Sequence, residues 1–411
     1  AYPCFCTPED LDEIRTKQEA AKLRPGYYGI WAKCRTMPID EVAQKIQNGE
    51  KYIIRFKSQG REDRKIKHKD VIKGNIEFPE NDQDIVIIKA DGLPTYHFAH
   101  AIDDHLMRVT HVIRGDEWVS SLPLHLELFH TLGFKPPKYA HTSTIMKDEN
   151  GSKRKISKRK DPEAAVSYYS EEGIPKEAVV EYLLNIANST FEPWRRANPT
   201  KPIDEFELQL NKMSISGAVF DMVKLLDVSK NVICKFSAEE IYNEALAWAN
   251  KYDEELKELL ENKEYSLKVL GIERGNIKPR KDISKWSDVK NSIIYMYEDK
   301  FAENTQYEFQ KISDPEEIKD ILKTYLDKHF NINDDKQTWF DKMKDLAEEK
   351  GYAREVKEYK QEPEKYKGHV GDISTVIRVA LTGRHNTPDL YEIMQVLGEE
   401  NIKTRINKII K

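Results

Sequence analysis

The chain has 411 residues, of which 39% are hydrophobic and 33% are charged, and its formal net charge at pH 7 is −5. This length predicts two to four domains, the apolar content excludes a disordered chain, and the mild acidity excludes a uniformly basic nucleic-acid-binding protein. No apolar run approaches the ~20 residues that span a bilayer, and the four cysteines favour a reducing compartment. We therefore expect a cytoplasmic protein that does not associate with a membrane.

Three of the four cysteines lie at the start of the chain, where Cys4 and Cys6 form a Cys-x-Cys pair and Cys34 follows. Zinc binds thiolates tetrahedrally, and a segment too small for its own core would gain order from the metal. Tyr28 or Tyr27 could supply the fourth ligand, as could water. The alternative is three ordinary reduced cysteines.

The chain up to about residue 150 alternates β-like runs with segments of helical length. The β-like runs cover 52–56, 84–90, 110–115 and 139–145, and segments 93–107 and 117–133 separate the last three. This alternation predicts βαβ units and a parallel sheet, in a doubly wound α/β fold or half of one.

Polar and basic residues follow the last two of these runs. In an open parallel sheet, ligands bind at the carboxyl ends of the strands, where we expect Arg114 and Glu117 to meet the basic segment 151–162, "GSKRKISKRKDP". Ammonium groups beside a nucleotide pocket can stabilise the charge that develops on a phosphate. A solvated loop or a localisation signal is the alternative.

Beyond Pro162 the pattern becomes that of charged amphipathic helices, which predicts an all-helical C-terminal half. Residues 238–262 indicate one helix, and residues 374–398 indicate two helices around a turn, with Gly383 ending the first and Asp389 beginning the second.

The helical half contains one basic stretch, residues 273–286, with an aromatic residue, Trp286, at its end. RNA sequence is read mostly at unstacked bases, by basic and aromatic side chains. The candidates for RNA contact in this stretch are Arg274, Lys278, Arg280 and Lys281. A solvated loop is an equal alternative.

The pentapeptide KISKR, Lys155–Arg159, resembles the KMSKS signature of class I aminoacyl-tRNA synthetases in the form seen in glutamyl-tRNA synthetases. It follows "DGLPTYHFAHAIDDHLMRVTHVIRGDEW" at the distance typical of that family, and the similarity continues to "VIRVALTGRHNTPDLYEIMQVLG" near the end of the chain. The resemblance implies the second half of a Rossmann-type catalytic domain with an acceptor-binding insertion, followed by helical stem-contact and anticodon-binding domains. The implied divisions are 1–92 for the insertion, 93–145 for the catalytic half, 146–235 for the stem-contact region and 236–411 for the anticodon-binding region.

The resemblance also implies the activity. A glutamyl-tRNA synthetase joins glutamate to ATP with Mg²⁺, forms glutamyl-adenylate and pyrophosphate, and transfers glutamate to the 3'-terminal adenosine of tRNA(Glu). Some members carry one structural zinc ion on a Cys-x-Cys…Cys arrangement like that of this chain. We expect a monomer.

The family's site residues can be carried over to matching positions. Lys155 and Ser157 shape the catalytic loop, Lys158 contacts the ATP phosphates, and Glu117 lies near ATP. The glutamate-binding residues are implied to be Tyr96, His100 and Arg114. A guanidinium binds a carboxylate with two charge-assisted hydrogen bonds that an amide cannot reproduce. His100 departs from the Asn of many bacterial members, and it could titrate near neutrality.

One family signature, His-x-Gly-His, is missing from this chain, which opens without an initiator Met. We therefore expect an incomplete fragment that does not form glutamyl-adenylate by itself. Two alternatives stay open: a non-catalytic tRNA-binding protein derived from a synthetase, and a non-discriminating synthetase that also charges tRNA(Gln).

Overall fold

The computed structural model describes residues 1–276, 279–304 and 306–411. The chain divides into two compact units. The first comprises Ala1–Ile156 and Leu184–Phe220, and the second comprises Ser157–Leu183 and Asp221–Lys411.

All the described β-strands belong to the first unit. They are β1 Tyr2–Cys4, β2 Ile53–Arg55, β3 Lys65–Asp70, β4 Gly74–Pro79, β5 Val86–Ile88, β6 His111–Gly115, β7 Lys138–Thr142, β8 Met146–Glu149 and β9 Ser152–Lys155. They form an antiparallel sheet β1-β2-β5, the hairpins β3-β4 and β8-β9, and the parallel pair β6-β7.

The described helices lie in both units. They are α1 Pro8–Ala20, α2 Ile39–Gln47, α3 Tyr96–Leu106, α4 Leu122–Thr131, α5 Val166–Glu172, α6 Lys176–Ala187, α7 Phe191–Ala197, α8 Met222–Ile233, α9 Ala238–Tyr252, α10 Glu254–Leu259, α11 Lys263–Gly271, α12 Ser287–Ile293, α13 Glu298–Asn304, α14 Pro315–Thr324, α15 Lys336–Glu349, α16 Val356–Gln361, α17 Val370–Thr382 and α18 Leu390–Ile410. Non-helical backbone at Gly398 divides α18.

The βαβ unit predicted for residues 110–145 is confirmed. Strands β6 and β7 are parallel, with α4 between them in the chain, and Arg114 pairs with His141 in the register. Helices α3 and α4 pack through the fully buried residues Ala101 and Phe129. The pair β6-β7 therefore ends beside two helices, and this edge carries the candidate site.

The prediction that the earlier strands join this parallel sheet is wrong. Strand β5 pairs with β2 in antiparallel register, with Ile54 opposite Ile88. Short apolar runs carry no information on strand direction, so the sequence pattern could not distinguish the two pairings.

The basic segment is also more ordered than the predicted loop. Ser152–Lys155 forms β9, which pairs with β8 around Asn150 and Gly151, both with positive φ, +56° and +84°. Asn and Gly are the residues that adopt this conformation most readily, which explains the tight turn.

The second unit confirms the all-helical prediction, since the described residues 221–411 form helices, turns and one isolated bridge but no strand. Helix α17 ends at Gly383 with φ +67°, and the Asp389 side chain accepts the Glu392 N–H at the start of α18, both as predicted.

The prediction of a single helix over 238–262 is wrong. Asp253 has extended backbone and its side chain caps α10, which separates α10 from α9.

No described helix combines the length and the hydropathy needed to cross a lipid bilayer.

Candidate functional site

Arg114 lies in a pocket built of rings at the carboxyl end of β6. Its Nε donates to His141 Nε2 at 2.9 Å, and its Nη1 donates to His125 Nδ1 at 2.9 Å. Its Nη2 donates to the Trp118 carbonyl at 3.4 Å, and the guanidinium lies 4.8 Å from the centre of the Tyr139 ring. Burial lowers the pKa of Arg114 from its usual value.

Each histidine that contacts Arg114 has a second partner. His141 Nδ1 lies 2.6 Å from Asp70 Oδ2, and His125 Nε2 lies 2.9 Å from His97 Nδ1. His125, His141 and Asp70 are almost completely buried. The result is one hydrogen-bonded chain, Asp70-His141-Arg114-His125-His97.

The other two residues predicted to bind glutamate lie beside this chain. The Tyr96 ring is exposed and lies 4.9 Å from the Trp118 ring and 6.0 Å from the His100 ring. His100 Nε2 lies 3.2 Å from the Tyr139 hydroxyl. His100 Nδ1 lies 2.8 Å from Asp104 Oδ2, but the angles between the two groups are not those of a hydrogen bond.

The surroundings of His100 oppose the expected titration near neutrality, because they lower its pKa. Its side chain is buried on α3, and burial lowers its pKa from 6.5, with Arg114 adding to the effect and Asp104 opposing it. The shift favours the neutral form of His100, in which the polarity of the ring comes from the imidazole dipole.

Glu117 and Lys155 lie at the same edge of the first unit. Lys155 Nζ is 4.0 Å from Glu117 Oε2, and both side chains are exposed. The neighbouring Asp116 accepts a hydrogen bond from Thr144 at 2.8 Å and lies 3.6 Å from Lys73 Nζ. Arg114 and Lys155, the first lysine of KISKR, thus contact consecutive residues, Trp118 and Glu117, of the turn Asp116–Ser121.

The last three KISKR residues, Ser157–Arg159, belong to the second unit. The Ser157 N–H donates to Asp161 Oδ2 at 2.8 Å, and the Asp161 N–H donates to the Ser157 carbonyl at 2.8 Å. This reciprocal pair closes a tight turn that leaves Lys158 exposed.

The three N-terminal cysteines form a cluster in the first unit. The sulfur atoms of Cys4, Cys6 and Cys34 lie within 4.8 Å of one another, and those of Cys6 and Cys34 are 3.7 Å apart. Hydrogen bonding from Cys34 lowers the pKa of Cys4 to about 4, whereas the same bond raises the pKa of Cys34. One thiolate is therefore already favoured in the cluster.

Tyr27, rather than Tyr28, adjoins these sulfurs. The Tyr27 hydroxyl lies 3.4 Å from Cys4 Sγ and 3.2 Å from Cys6 Sγ. The Tyr28 hydroxyl instead donates to the carbonyl of Arg24 at 2.6 Å. The prediction of Tyr28 as the fourth ligand is corrected, because its hydroxyl is bonded to the Arg24 carbonyl while the buried Tyr27 hydroxyl lies at the sulfurs.

Three distances among these donor atoms are close to those of tetrahedral zinc coordination. Sulfurs at about 2.3 Å from zinc in tetrahedral geometry lie about 3.8 Å apart, and a phenolate oxygen would lie about 3.5 Å from each sulfur. The distances of 3.7 Å, 3.4 Å and 3.2 Å in the cluster are close to these values.

One of the residues predicted to contact tRNA, Arg280, lies at a cleft of the second unit. Arg280, with Arg384 and Tyr295, lines a cleft of about 350 Å³, and the Arg384 guanidinium lies 4.9 Å from the centre of the Tyr295 ring. Arg280 forms ion pairs with Asp282 at 2.8 Å and with Glu273 at 3.5 Å.

Two other described basic residues of the stretch, Arg274 and Lys281, do not line this cleft. Arg274 is half-buried and donates to the Leu270 carbonyl, whereas Lys281 is exposed and donates to Asn231. Trp286 is buried in the core, which excludes it as a stacking surface for a base. Lys278 lies outside the residues that the structure describes.

Sequence reasoning missed several residues of the site. His141 could have been found, because parallel neighbours at one sheet edge place it beside Arg114. His125, His97 and Asp70 carry no local signal, since Asp70 reaches His141 across 71 residues of chain.

Comparison with known proteins gives matches over both halves of the chain. A family model for the catalytic domain of class I tRNA synthetases (E and Q) matches residues 1–227, and a model for an anticodon-binding domain matches residues 254–410.

Individual relatives match along the whole chain. The glutamate–tRNA ligase of Clostridium perfringens strain SM101 is 53% identical, and that of Clostridium beijerinckii is 50% identical; each match covers 100% of this chain and 75% of the relative. A crystal structure of a glutamate tRNA ligase from Elizabethkingia meningosepticum, in complex with its amino acid, matches with a TM-score of 0.72 at 26% identity. That match covers 100% of this chain and 79% of the other.

Proposed function

The chain belongs to the glutamate–tRNA ligases, class I synthetases that activate glutamate with ATP and Mg²⁺ and transfer it to tRNA, and on that premise we propose which of its residues carry out each step. The comparisons do not bear out the expectation of an inactive fragment, or either alternative function.

We propose that Arg114 binds the side-chain carboxylate of glutamate. The observation that carries this proposal is the charge of the pocket. Among the described residues no carboxylate pairs with Arg114, and Asp104 and Asp70 act on it only at longer range. A half-buried cation without a protein anion favours an anionic ligand. Tyr96 and His100 are proposed to complete the wall of the pocket, since the Tyr96 ring lies 4.9 Å from the Trp118 ring and 6.0 Å from the His100 ring.

Lys155, Ser157 and Lys158 are proposed to stabilise the charge on the ATP phosphates while the glutamate α-carboxylate attacks and pyrophosphate leaves. Their support is the exposed position of both lysines and the closed turn at Ser157. Glu117 lies 4.0 Å from Lys155 and is proposed to orient that lysine at the nucleotide. Stabilising developing charge lowers the barrier rather than strengthening ground-state binding.

The two roles can be separated by kinetics. In ATP–pyrophosphate exchange by the intact enzyme, with tRNA supplied, we expect Arg114→Gln to raise KM for glutamate about 100-fold. Lys158→Ala should lower kcat about 100-fold and leave KM for glutamate near the wild-type value. Lys160→Ala, an exposed neighbour in the same turn, is the matched control. Unchanged glutamate KM in Arg114→Gln would refute the role of Arg114.

A structural zinc ion on Cys4, Cys6, Cys34 and Tyr27 is proposed from the donor distances. The ion would hold the segment before β2, whose own buried cluster is small. Zinc in such a site contributes folding free energy, and it needs its cysteines as thiolates.

The cleft beside Arg280 and Arg384 is proposed to contact tRNA. Two guanidinium groups at one cleft suit contacts with phosphates. We expect Arg280→Gln and Arg384→Gln each to weaken tRNA binding about 10-fold and to reduce its salt dependence. Lys257→Gln, at a partly exposed lysine of α10, is the control. Equal affinities in all three variants would exclude the cleft.

Three broader proposals accompany these sites. The divisions 1–92, 93–145, 146–235 and 236–411 stay our proposal for the domains, supported at the C-terminal end by the anticodon-domain match to 254–410. We propose a monomer, to be tested by light scattering. The four free thiols support a reducing compartment, and we propose the cytoplasm.

A further inference from the structure

Arg114 is oriented by neutral rings rather than by an acid. Buried arginines are usually paired with carboxylates, yet the hydrogen-bond partners of this one are His141, His125 and a backbone carbonyl. An acid at either imidazole position would hold the guanidinium equally well, but it would also neutralise the charge. Imidazole partners therefore hold Arg114 in place and keep its positive charge available to bind an anion.

The protonation of both histidines follows from the donors that they face. A guanidinium can only donate, so His141 Nε2 and His125 Nδ1 must both be unprotonated acceptors. The proton of His141 is then on Nδ1, where it is donated to Asp70 Oδ2 at 2.6 Å. The proton of His125 is on Nε2, where it is donated to His97 Nδ1 at 2.9 Å. Each tautomer is thus fixed from both sides.

The electrostatic surroundings keep these rings neutral. Burial, reinforced by Arg114, lowers the pKa of His125 to about 2. Burial also lowers the pKa values of His141 and His97, and the hydrogen bond to Asp70 opposes the shift only for His141.

A count of hydrogen bonds shows which N–H groups of Arg114 are available to a ligand. Arg114 has five N–H groups, of which His141, His125 and the Trp118 carbonyl accept three. One N–H on Nη1 and one on Nη2 have no acceptor within the described part of the chain. Two N–H groups on adjacent terminal nitrogens match the two oxygens of one carboxylate.

We propose that His125 and His141 are positioning residues for substrate selection. As neutral acceptors they bind the N–H on Nε and one N–H on Nη1 of Arg114. They leave its full positive charge, and one N–H on each terminal nitrogen, for an acidic side chain. Asp70 and His97 fix the tautomers that this requires. The inference rests on the proposed role of Arg114 in glutamate binding.

Three substitutions of His125 in the intact enzyme test the inference. His125→Gln keeps an acceptor for Arg114 and a donor for His97, His125→Leu has neither, and His125→Glu adds a negative charge. We expect KM for glutamate to rise about 10-fold in His125→Leu and about 100-fold in His125→Glu, and to stay within about threefold of wild type in His125→Gln. KM for ATP should change less than about twofold in all three.

The inference is overturned if the Gln and Leu variants behave alike, or if His125→Glu binds glutamate as well as wild type does. The Gln and Glu variants suffice if His125→Leu does not fold. Arg114→Gln, measured in parallel, separates the two proposals. If it raises KM for glutamate and His125→Leu does not, only the histidine inference fails, whereas no effect of Arg114→Gln refutes the role of the arginine itself.

The tautomers can be observed without any activity. In protein labelled with ¹⁵N-histidine, NMR should show His141 protonated at Nδ1 and His125 protonated at Nε2, both neutral at pH 7. A proton on His141 Nε2, or a charged His125, would contradict the proposed arrangement.

Discussion

At the scale of single residues, Asp70 acts on the pocket without contacting a ligand. Its Oδ1 accepts the N–H groups of Ile72 and Lys73, both at 2.9 Å, and its Oδ2 lies 2.6 Å from His141 Nδ1. The backbone bonds fix the carboxylate, and the carboxylate fixes the imidazole. Arg114 is therefore positioned by a turn between β3 and β4 that is distant in sequence.

We predict that Asp70→Asn raises KM for glutamate about 10-fold and leaves KM for ATP unchanged. The amide oxygen would keep the two backbone N–H groups, so the amide NH₂ would face His141 Nδ1. His141 would then carry its proton on Nε2, opposed to the Arg114 N–H. The measurement is glutamate-dependent aminoacylation.

A suitable control is Asp91→Asn, because Asp91 also accepts a backbone N–H, that of Leu93, but is exposed. Equal glutamate KM values in Asp70→Asn and Asp91→Asn would argue against the tautomer mechanism.

At the scale of elements, the segment from β1 to the turn at Cys34 has few buried apolar side chains. Tyr27 accounts for much of its order, since its hydroxyl accepts the Cys34 N–H at 3.1 Å and its ring lies 3.9 Å from the Arg55 guanidinium. The proposed metal would add the cross-link that this cluster lacks.

We predict that Tyr27→Phe weakens zinc binding about 10- to 100-fold, whereas Tyr28→Phe keeps one zinc per chain. Only the first variant loses an oxygen at the cluster. Metal content after dialysis against a chelator of graded strength measures the difference. Equal retention in both variants would show that tyrosine is not a ligand, and wild-type protein without zinc would exclude the site.

Elements differ in how far sequence predicts them. The unit β6-α4-β7 was predictable, because two apolar runs enclose a segment of helical length. The hairpin β3-β4 was missed, because Lys65, Lys67 and Lys69 alternate with half-buried residues, so the ribbon has no strongly apolar face. The cluster at Cys4 was predictable from residue type. Which of Tyr27 and Tyr28 lies at the sulfurs was not, because it depends on the course of the backbone in three dimensions.

At the scale of the whole molecule, five buried or half-buried histidines lie in the first unit, and burial lowers the pKa of each: His68, His97, His100, His125 and His141. Four of them surround Arg114 or Tyr139. The concentration of neutral imidazoles in one unit links its stability to pH.

We predict that stability falls as pH decreases below about 6.5. The unfolded chain takes up protons on these histidines in that range, while the folded chain, in which their pKa values are lowered, takes up fewer, so unfolding becomes more favourable. For the fully buried His125, whose folded-state pKa is about 2, the loss approaches about 1.4 kcal/mol per pH unit. Urea unfolding between pH 8 and pH 5.5 measures it, and His125→Gln should reduce the slope by one proton. An identical slope in that variant would contradict the prediction.

The register that places Arg114 opposite His141 also limits how this chain can change in evolution. A one-residue insertion or deletion in β6 or β7 would turn one member of the pair to the opposite face of the sheet. Insertions and deletions should therefore be tolerated in the connection after α4 and selected against in the two strands. The length of β6 and β7 and the specificity for the bound side chain are then conserved for the same reason.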